Sequence, residues 1–159
     1  MMSAFDLGAV ESIAAAVHPL FQETTDVLAE RQRLYPHGCY LLEIGERPAG
    51  YVLSHPWLAG TVTPLNARLG ALPPQPDTYY LHDLALLPVA RRIGAASRIV
   101  NALVKHARVG GYTTMSLVAV NGSHGFWERH GFVIEDAPQV REKLLSYEPG
   151  ARLMVKPLV

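Results

Sequence analysis

The residues that could do chemistry cluster between Tyr80 and Trp127. "ARRIGAAS", Ala90 to Ser97, sets Arg91 and Arg92 before Ile93 and the small run Gly94-Ala95-Ala96, and Ser97 opens an apolar-periodic stretch. The first turn of a helix presents N–H groups without helical partners, and the helix dipole adds partial positive charge there. That end binds anions readily. Gly94 and Ala96 allow a phosphate close to the backbone, and the two arginines can add charge-assisted bonds from the flank. The same small residues also suit a helix that simply packs on a sheet, so the loop alone leaves both uses open. A Walker loop is excluded because no lysine precedes Lys105. A dinucleotide fingerprint is excluded because the loop has one glycine and no acid follows it until Glu128.

Other reactive types are sparse. Histidine is the side-chain type suited to exchanging protons in neutral solution, and strand alternation puts Tyr80 on the face of His82 and Asp83 on the opposite one. His82 and Asp83 therefore form no triad, and no Gly-x-Ser-x-Gly elbow exists. His124 and His130 are six apart, lack metal-ligand spacing and read as exposed helix residues, so no metal is expected. Cys39, the only cysteine, reads as a small buried hydrophobe at the start of a strand. A cysteine acyl-enzyme would need a His or acidic partner that the sequence does not place.

The elements that must position these residues follow from periodicity. Apolar residues Val10, Ile13, Ala14 and Val17 recur at helical spacing, with Asp6 as N-cap and Pro19 as stop. A second helix is expected from Phe21 to Leu34. "CYLLEI" and "AGYVLS" flank a turn, Gly45 to Pro48, as a β-hairpin. His55 to Asp77 holds five of the twelve prolines and is expected to be irregular, either a substrate-side lid or a tolerated surface insertion. Thr78 to Leu87 is a strand stopped by Pro88. The helix after it carries Ala96, Ile99-Val100, Leu103-Val104 and Ala107 on one face and ends at Gly110-Gly111. Thr113 to Val120 is apolar on both faces, as a buried parallel strand is. The centre is thus one βαβ unit with a right-handed crossover. A short helix from Ser123 to His130 stops at Gly131, and "FVIED" and "RLMVK" close the chain as strands around a helical "VREKLLSY".

Composition agrees with one α/β domain over residues 1–159. Apolar residues make up 49% and charged residues 18% of the 159, which is enough for a core. No run of 18 apolar residues indicates a membrane span, the N-terminus lacks the basic front of a signal peptide, and a lone cysteine permits no intrachain disulfide. A cytoplasmic protein is the expectation. Net charge is zero, against a general polyanion binder such as a nucleic-acid protein. Yet between Leu84 and Trp127 there is no acid, while Arg91, Arg92, Arg98, Lys105 and Arg108 all lie there. Either one anionic ligand sits at that place, or acidic neighbours fold against it.

Arg91-x-x-Gly94-x-Ala96, directly after a strand ending Leu84-Ala85-Leu86-x-Pro88, resembles the pyrophosphate loop of the GNAT superfamily of acyl-CoA-dependent N-acetyltransferases. "VNGSHGFWERHGF", Val120 to Phe132, is similar to the family's later Asn…Phe-Tyr-x-x-x-Gly-Phe segment. The resemblance covers about Cys39 to Lys156, with a cofactor-binding core at 78–132 and N-terminal helices over 6–34. It implies a single GNAT-like domain of α/β (α+β) class, whose mixed central sheet has splayed fourth and fifth strands flanked by helices. The family usually begins with a strand, for which "MMSAF" leaves little room.

The resemblance assigns residues as follows. The pantetheine arm of acetyl-CoA would lie in the splay and bond backbone at Leu84, Ala85 and Leu86. The pyrophosphate would rest on amides from Arg92 through Ile93, Gly94, Ala95 and Ala96 to Ser97, with Arg91 beside it. Asn121 stands where the family often bonds the arm, although the interval from it to the Phe is one residue short. Trp127 occupies the place of the tyrosine that protonates the leaving thiolate; an indole only donates hydrogen bonds and is no general acid. A thiol of pKa about 8.5 leaves tolerably without full protonation. Tyr80, Tyr112 or a water could replace the acid. The amine must lose a proton to attack, and His82, beside the expected thioester, is the candidate base. The expected acceptor is a small-molecule or peptide amine, with no nucleic acid, membrane or metal involved; homodimers occur in the family. A neutral chain does not favour a strongly basic acceptor. The alternative is a non-catalytic acyl-CoA sensor that kept the loop and lost the acid.

Overall fold

The computed structural model describes residues 1–159 as one α/β domain. Its centre is a six-stranded mixed sheet in the order β1-β2-β3-β4-β6-β5. The strands are β1 (Cys39–Ile44), β2 (Arg47–Trp57), β3 (Thr78–Leu86), β4 (Thr114–Ala119), β5 (Val133–Ile134) and β6 (Arg152–Pro157). Only β3 and β4 run parallel; the other neighbours are antiparallel. The expected central unit is present, with α4 (Ala95–Val109) crossing from β3 to β4.

Each face of the sheet is covered by a different part of the chain. Val100, Leu103, Val104 and Ala107 of α4 bury against Val52, Leu81, Met115 and Leu117. On the other face, Val10 and Ile13 of α1 (Leu7–Val17) and Leu28 of α2 (Thr25–Leu34) pack on Tyr51, Leu53 and Ala85. Gly111, at φ +83°, lets the chain leave α4, and the Tyr112 N–H donates to the Ala107 carbonyl at 3.0 Å.

Several boundaries differ from the sequence expectation. The hairpin turn is Gly45-Glu46, both at positive φ (55° and 63°), the geometry that a two-residue turn needs to match strand twist. Strand β2 continues through Pro56 to Trp57, so the irregular segment begins at Leu58. Proline is tolerated there because β1 ends opposite Leu53, leaving the far end of β2 paired with β3 alone. Asp6 is not a side-chain cap of α1. Its carboxylate accepts the Ser3 N–H at 2.7 Å and the Ser3 hydroxyl at 2.9 Å, closing a 3₁₀ turn ahead of the helix. Helix α2 starts at Thr25, not Phe21, so His18 to Thr24 is a non-helical strap. In place of a first strand, Met2 donates its N–H to Cys39 at 2.8 Å and is 2% exposed. The family's fourth and fifth strands are therefore β3 and β4 of this chain.

The segment after β2 is pinned rather than loose. Arg31 and Glu30, with side chains 0% and 7% exposed, pair at 2.9 Å. Arg31 donates to the Ala67 carbonyl at 2.8 Å, and Glu30 accepts the Leu69 and Gly70 N–H groups at 2.7 and 3.1 Å. Cys39 is buried, and burial pushes its thiol up to about 11. No helix is long and apolar enough to cross a membrane.

Candidate active site

Strands β3 and β4 pair only over Tyr79–Leu81 against Met115–Leu117 and then separate. From His82 onward, β3 has a hydrogen-bonded neighbour on the β2 side alone. Backbone groups facing the gap are left for another partner, and an extended ligand carrying amides can supply one. The gap opens into a cleft of about 510 Å³. Leu84, Leu86, Arg91, Ala96, Asn121 and Trp127 line it, with Arg91 and Ala96 on the side of the turn into α4, and His82 lines it where β3 leaves β4.

At the mouth, α3 (Pro88–Arg91) and the turn Arg92–Gly94 lead into α4. Gly94 is the N-cap in left-handed geometry (φ 71°, ψ 17°), and a Cβ added there would meet nothing within 4 Å. The turn therefore needs glycine for its backbone angle and also leaves open space above the first amides of α4. Arg91 donates from Nε to the Leu86 carbonyl at 3.0 Å, which fixes its guanidinium at the mouth with its other donors free. Arg91, Arg92, Arg98, Lys105 and Arg108 take part in none of the chain's ion pairs. The acid-free segment thus stays locally positive in the fold. Arg92, Ile93, Gly94 and Ser97 are exposed on the turn, whereas Ala85 and Ala95 are buried and do not line the cleft.

Across the gap, Asn121 and Gly122 both take positive φ (54° and 69°) and turn the chain from β4 into α5 (His124–Arg129). The Asn121 N–H donates to Glu148 at 2.6 Å, which leaves its side chain at the cleft wall. Trp127 is 8% exposed and packs edge-on to Phe126 and Phe132, with centroids 4.8 and 5.5 Å away. His130 is not a free surface residue. Its ring lies 4.5 Å from that of Phe126, and Nε2 shares a 3.1 Å hydrogen bond with the Ser97 hydroxyl at the start of α4.

The inner end departs most from strand alternation. In the β2–β3 ladder Leu53 faces Asp83 and Ser54 faces Leu81, so His82 is an inserted residue without a partner. This bulge turns His82 and Asp83 to the same face, correcting the expected opposition. Both meet the strap. His82 Nε2 lies 2.6 Å from Glu23 Oε1, with the two side chains 1% and 7% exposed. Glu23 Oε2 accepts the Asn66 N–H at 3.0 Å. His18 Nε2 lies 3.0 Å from Asp83 Oδ1, and the Tyr51 hydroxyl donates to Asp83 Oδ2.

These contacts set the charges. Burial pushes the Glu23 carboxyl up, but the His82 charge and hydrogen bond outweigh it, and the net direction is down. Burial likewise pushes Asp83 up, and its bonds to His18 and Tyr51 bring it below the usual carboxylate value. Burial pushes His18 down, and Asp83 more than reverses this. His82 Nδ1 is buried, has no hydrogen-bond partner, and belongs to a residue that lines the cleft.

Tyr80 shares the His82 face, as alternation expects, but is 1% exposed and lies outside the cleft lining. Its ring is 5.5 Å from that of His55, and burial pushes its hydroxyl far up. Tyr147 lines the cleft instead and donates its hydroxyl to the Thr63 carbonyl at 2.9 Å. Tyr112 sits with Tyr79 on the α4 side, away from the cleft. Glu23, His18 and Tyr147 escaped the sequence reading. No local pattern marks them, since all three reach the cleft through tertiary packing of strap and C-terminal segment. No group of three His, Cys, Asp or Glu residues could hold a metal ion.

A parallel pair that opens into a cleft, with a left-handed glycine and a positive turn at its mouth, is the arrangement that the resemblance of the Arg91–Ala96 loop implied. Residues 9–132 match the acetyltransferase (GNAT) family, and the chain belongs to it. Among solved structures, the GNAT-like decarboxylase GphF in complex with isobutyryl-CoA superposes with a TM-score of 0.84 at 16% identity, covering 99% of this chain and 97% of that one. The loading GNATL domain of CurA from Lyngbya majuscula gives 0.76 at 16% identity, with 97% and 92% covered. The ribosomal-protein-S18-alanine N-acetyltransferase from Escherichia coli gives 0.67 at 16% identity, with 99% and 90% covered. At these identities the likeness is one of fold. Among curated proteins, none matches the chain in sequence.

Proposed function

We propose that the protein transfers an acyl group, acetyl in the first instance, from acyl-CoA to the amine of a small-molecule or peptide acceptor. His82 is the base. The observation that carries this reading is the His82 ring itself, which belongs to a cleft-lining residue, is held at Nε2 by Glu23 and is buried without a hydrogen-bond partner at Nδ1. A carboxylate that accepts a hydrogen bond from Nε2–H holds the tautomer in which Nδ1 offers its lone pair, and it stabilises the imidazolium that follows.

The residues present fit acetyl-CoA, which supplies an activated acyl carbon as a thioester. The free amides at the start of α4 and the Arg91 guanidinium suit its phosphates. Backbone from Leu84 to Leu86, turned to the gap, suits the amides of its arm, and Asn121 faces them across the cleft. As the amine attacks, a carbon–nitrogen bond forms and the carbon–sulfur bond breaks, and His82 Nδ1 takes the amine proton. Trp127 excludes water from the inner end. Tyr147, the tyrosine on the cleft wall, already donates its hydroxyl to the Thr63 carbonyl, so in this reading the thiolate leaves without a side-chain acid.

The test is CoA release with a panel of amines. His82→Ala is expected to lower kcat/KM by roughly 10²- to 10⁴-fold, the range for losing a general base, with CoA affinity kept within about twofold. Glu23→Gln is expected to lower it less and to change the pH profile. An unchanged rate and profile in His82→Ala refutes the assignment. Trp127, a buried donor without acid function, favours a second reading as an acyl-CoA sensor. Binding without thiol release across the panel supports the sensor, and carbon dioxide release from a carboxylated acyl-CoA without thiol release replaces transfer by decarboxylation.

A further inference from the structure

A second depression lies beside the candidate active site, over β1, β2 and β3. It is a groove of about 340 Å³ between the sheet and the outer flank of α4, and ten of its eleven lining residues are hydrophobic. Leu42, Val52, Leu84 and Leu86 form its floor. Its helix wall carries Ala95, Ile99 and Ala102, and the two alanine methyls are too short to close the gap. An Ile or Leu at either place would fill it with ordinary core. The one charged lining residue is Arg98, at the rim. Arg98 Nη2 donates to the Ile93 carbonyl at 2.8 Å, which holds the guanidinium in place and leaves most of its five donors unused. Arg98 makes no ion pair, and no acid lies between Leu84 and Trp127 to neutralise it.

An apolar slot with one fixed, unpaired guanidinium at its edge complements a molecule with an apolar body and a single anionic head. Its volume is at the lower end of the roughly 300–1,000 Å³ of small-molecule sites, which typically combine apolar walls with few polar groups. A bidentate contact to the planar fork of arginine selects a carboxylate. We propose that this groove binds a medium-chain monocarboxylate, separately from the acyl-CoA cleft. Leu84 and Leu86 line both depressions. Occupation of the groove therefore bears on the strand that walls the active site, and any effect on CoA affinity must be matched by an equal effect of CoA on the carboxylate.

The experiment is a calorimetric titration of the full chain with decanoate, repeated with decylamine, which has the same tail and the opposite charge. Amide shifts in two-dimensional NMR locate the site. Decanoate is expected to bind and to shift Leu42, Val52 and Ile99, to persist with saturating CoA, and to outbind decylamine. Arg98→Gln, an exposed change that leaves the core intact, is expected to weaken decanoate about tenfold, as loss of a charge-assisted bond does. Ala102→Trp fills the slot and is expected to abolish binding. No binding overturns the proposal. So does equal affinity for decylamine, an unchanged Arg98→Gln, or shifts confined to Asn121 and Trp127 in the other cleft. Concentration-dependent dimerisation that removes the same shifts overturns it too, assigning the groove to a second copy. Failure of CoA to bind leaves these outcomes as they stand, because the decanoate arm needs no CoA.

Discussion

Gly94→Ala isolates what the cofactor turn requires of its backbone. Gly94 sits at φ 71° and ψ 17°, and a methyl there meets nothing within 4 Å. The change therefore carries no steric cost, only the left-handed penalty of about 1–2 kcal/mol for a residue with a Cβ. Lower unfolded-state entropy returns about 0.4–1 kcal/mol of this, so the net loss is about 1 kcal/mol. For a chain of this length that lowers Tm by about 2–4 °C. Gly94→Glu has the same backbone cost, since its longer side chain also points into open space. It differs in putting a carboxylate over the amides and Arg91 at the mouth of the cleft. The two variants are thus expected to match in urea and thermal unfolding and to diverge in CoA calorimetry, with Gly94→Glu losing detectable binding. A loss above 3 kcal/mol in Gly94→Ala would refute the open-space reasoning, and a gain would refute the backbone reasoning. Gly94→Glu binding CoA within threefold of the parent would refute the phosphate cradle.

Two further expectations concern stability. Glu30→Ala strands the buried Arg31 and frees the Leu69 and Gly70 amides, so unfolding should ease by about 3 kcal/mol and Tm fall by roughly 10 °C; a change under 1 kcal/mol refutes the staple. For pH dependence, burial pushes His55 down to about 3, so it stays neutral in the fold while the unfolded chain takes up a proton near 6.5. Its contribution is complete above pH 6.5 and is lost as pH falls toward 3, on the order of 5 kcal/mol at most. Glu23 and Asp83, both lowered, lose theirs in the same direction. The raised His18 does the opposite: its contribution is complete below pH 6.5 and is lost as pH rises through its folded value. Urea melts should show stability declining from pH 6.5 to 3, and His55→Gln should flatten the first part of that decline; an unchanged slope refutes the assignment to His55.

The centre of the fold was readable because local signals and global architecture agree there. The alternation in β3, the amphipathic period of α4, the paired glycines after it and the apolar β4 each select their element without outside help. The shape of the cleft mouth was readable for the same reason, since Gly94, Ala96 and Arg91 are placed by the turn and helix start that they themselves form in sequence. The inner end was not. Glu23 meets His82 across 59 residues of chain, and His18 meets Asp83 across a similar separation, so neither pairing leaves a spacing to recognise. The helix expected from Phe21 takes in the end of the strap, because nothing in Phe21 to Thr24 announces that tertiary bonds to Asn66 hold those residues out of it.

The inserted residue in β3 has a consequence for how such a site can change. In a regular strand, neighbouring side chains are separated by the thickness of the sheet, so a histidine and the acid next to it serve different worlds. The bulge at His82 removes that separation without altering any hydrophobic position that selects the fold. Sliding the insertion one place along β3 would rotate a different pair of side chains into the cleft and withdraw the present one. Which side chains of β3 reach the cleft is therefore held in the register of two strands.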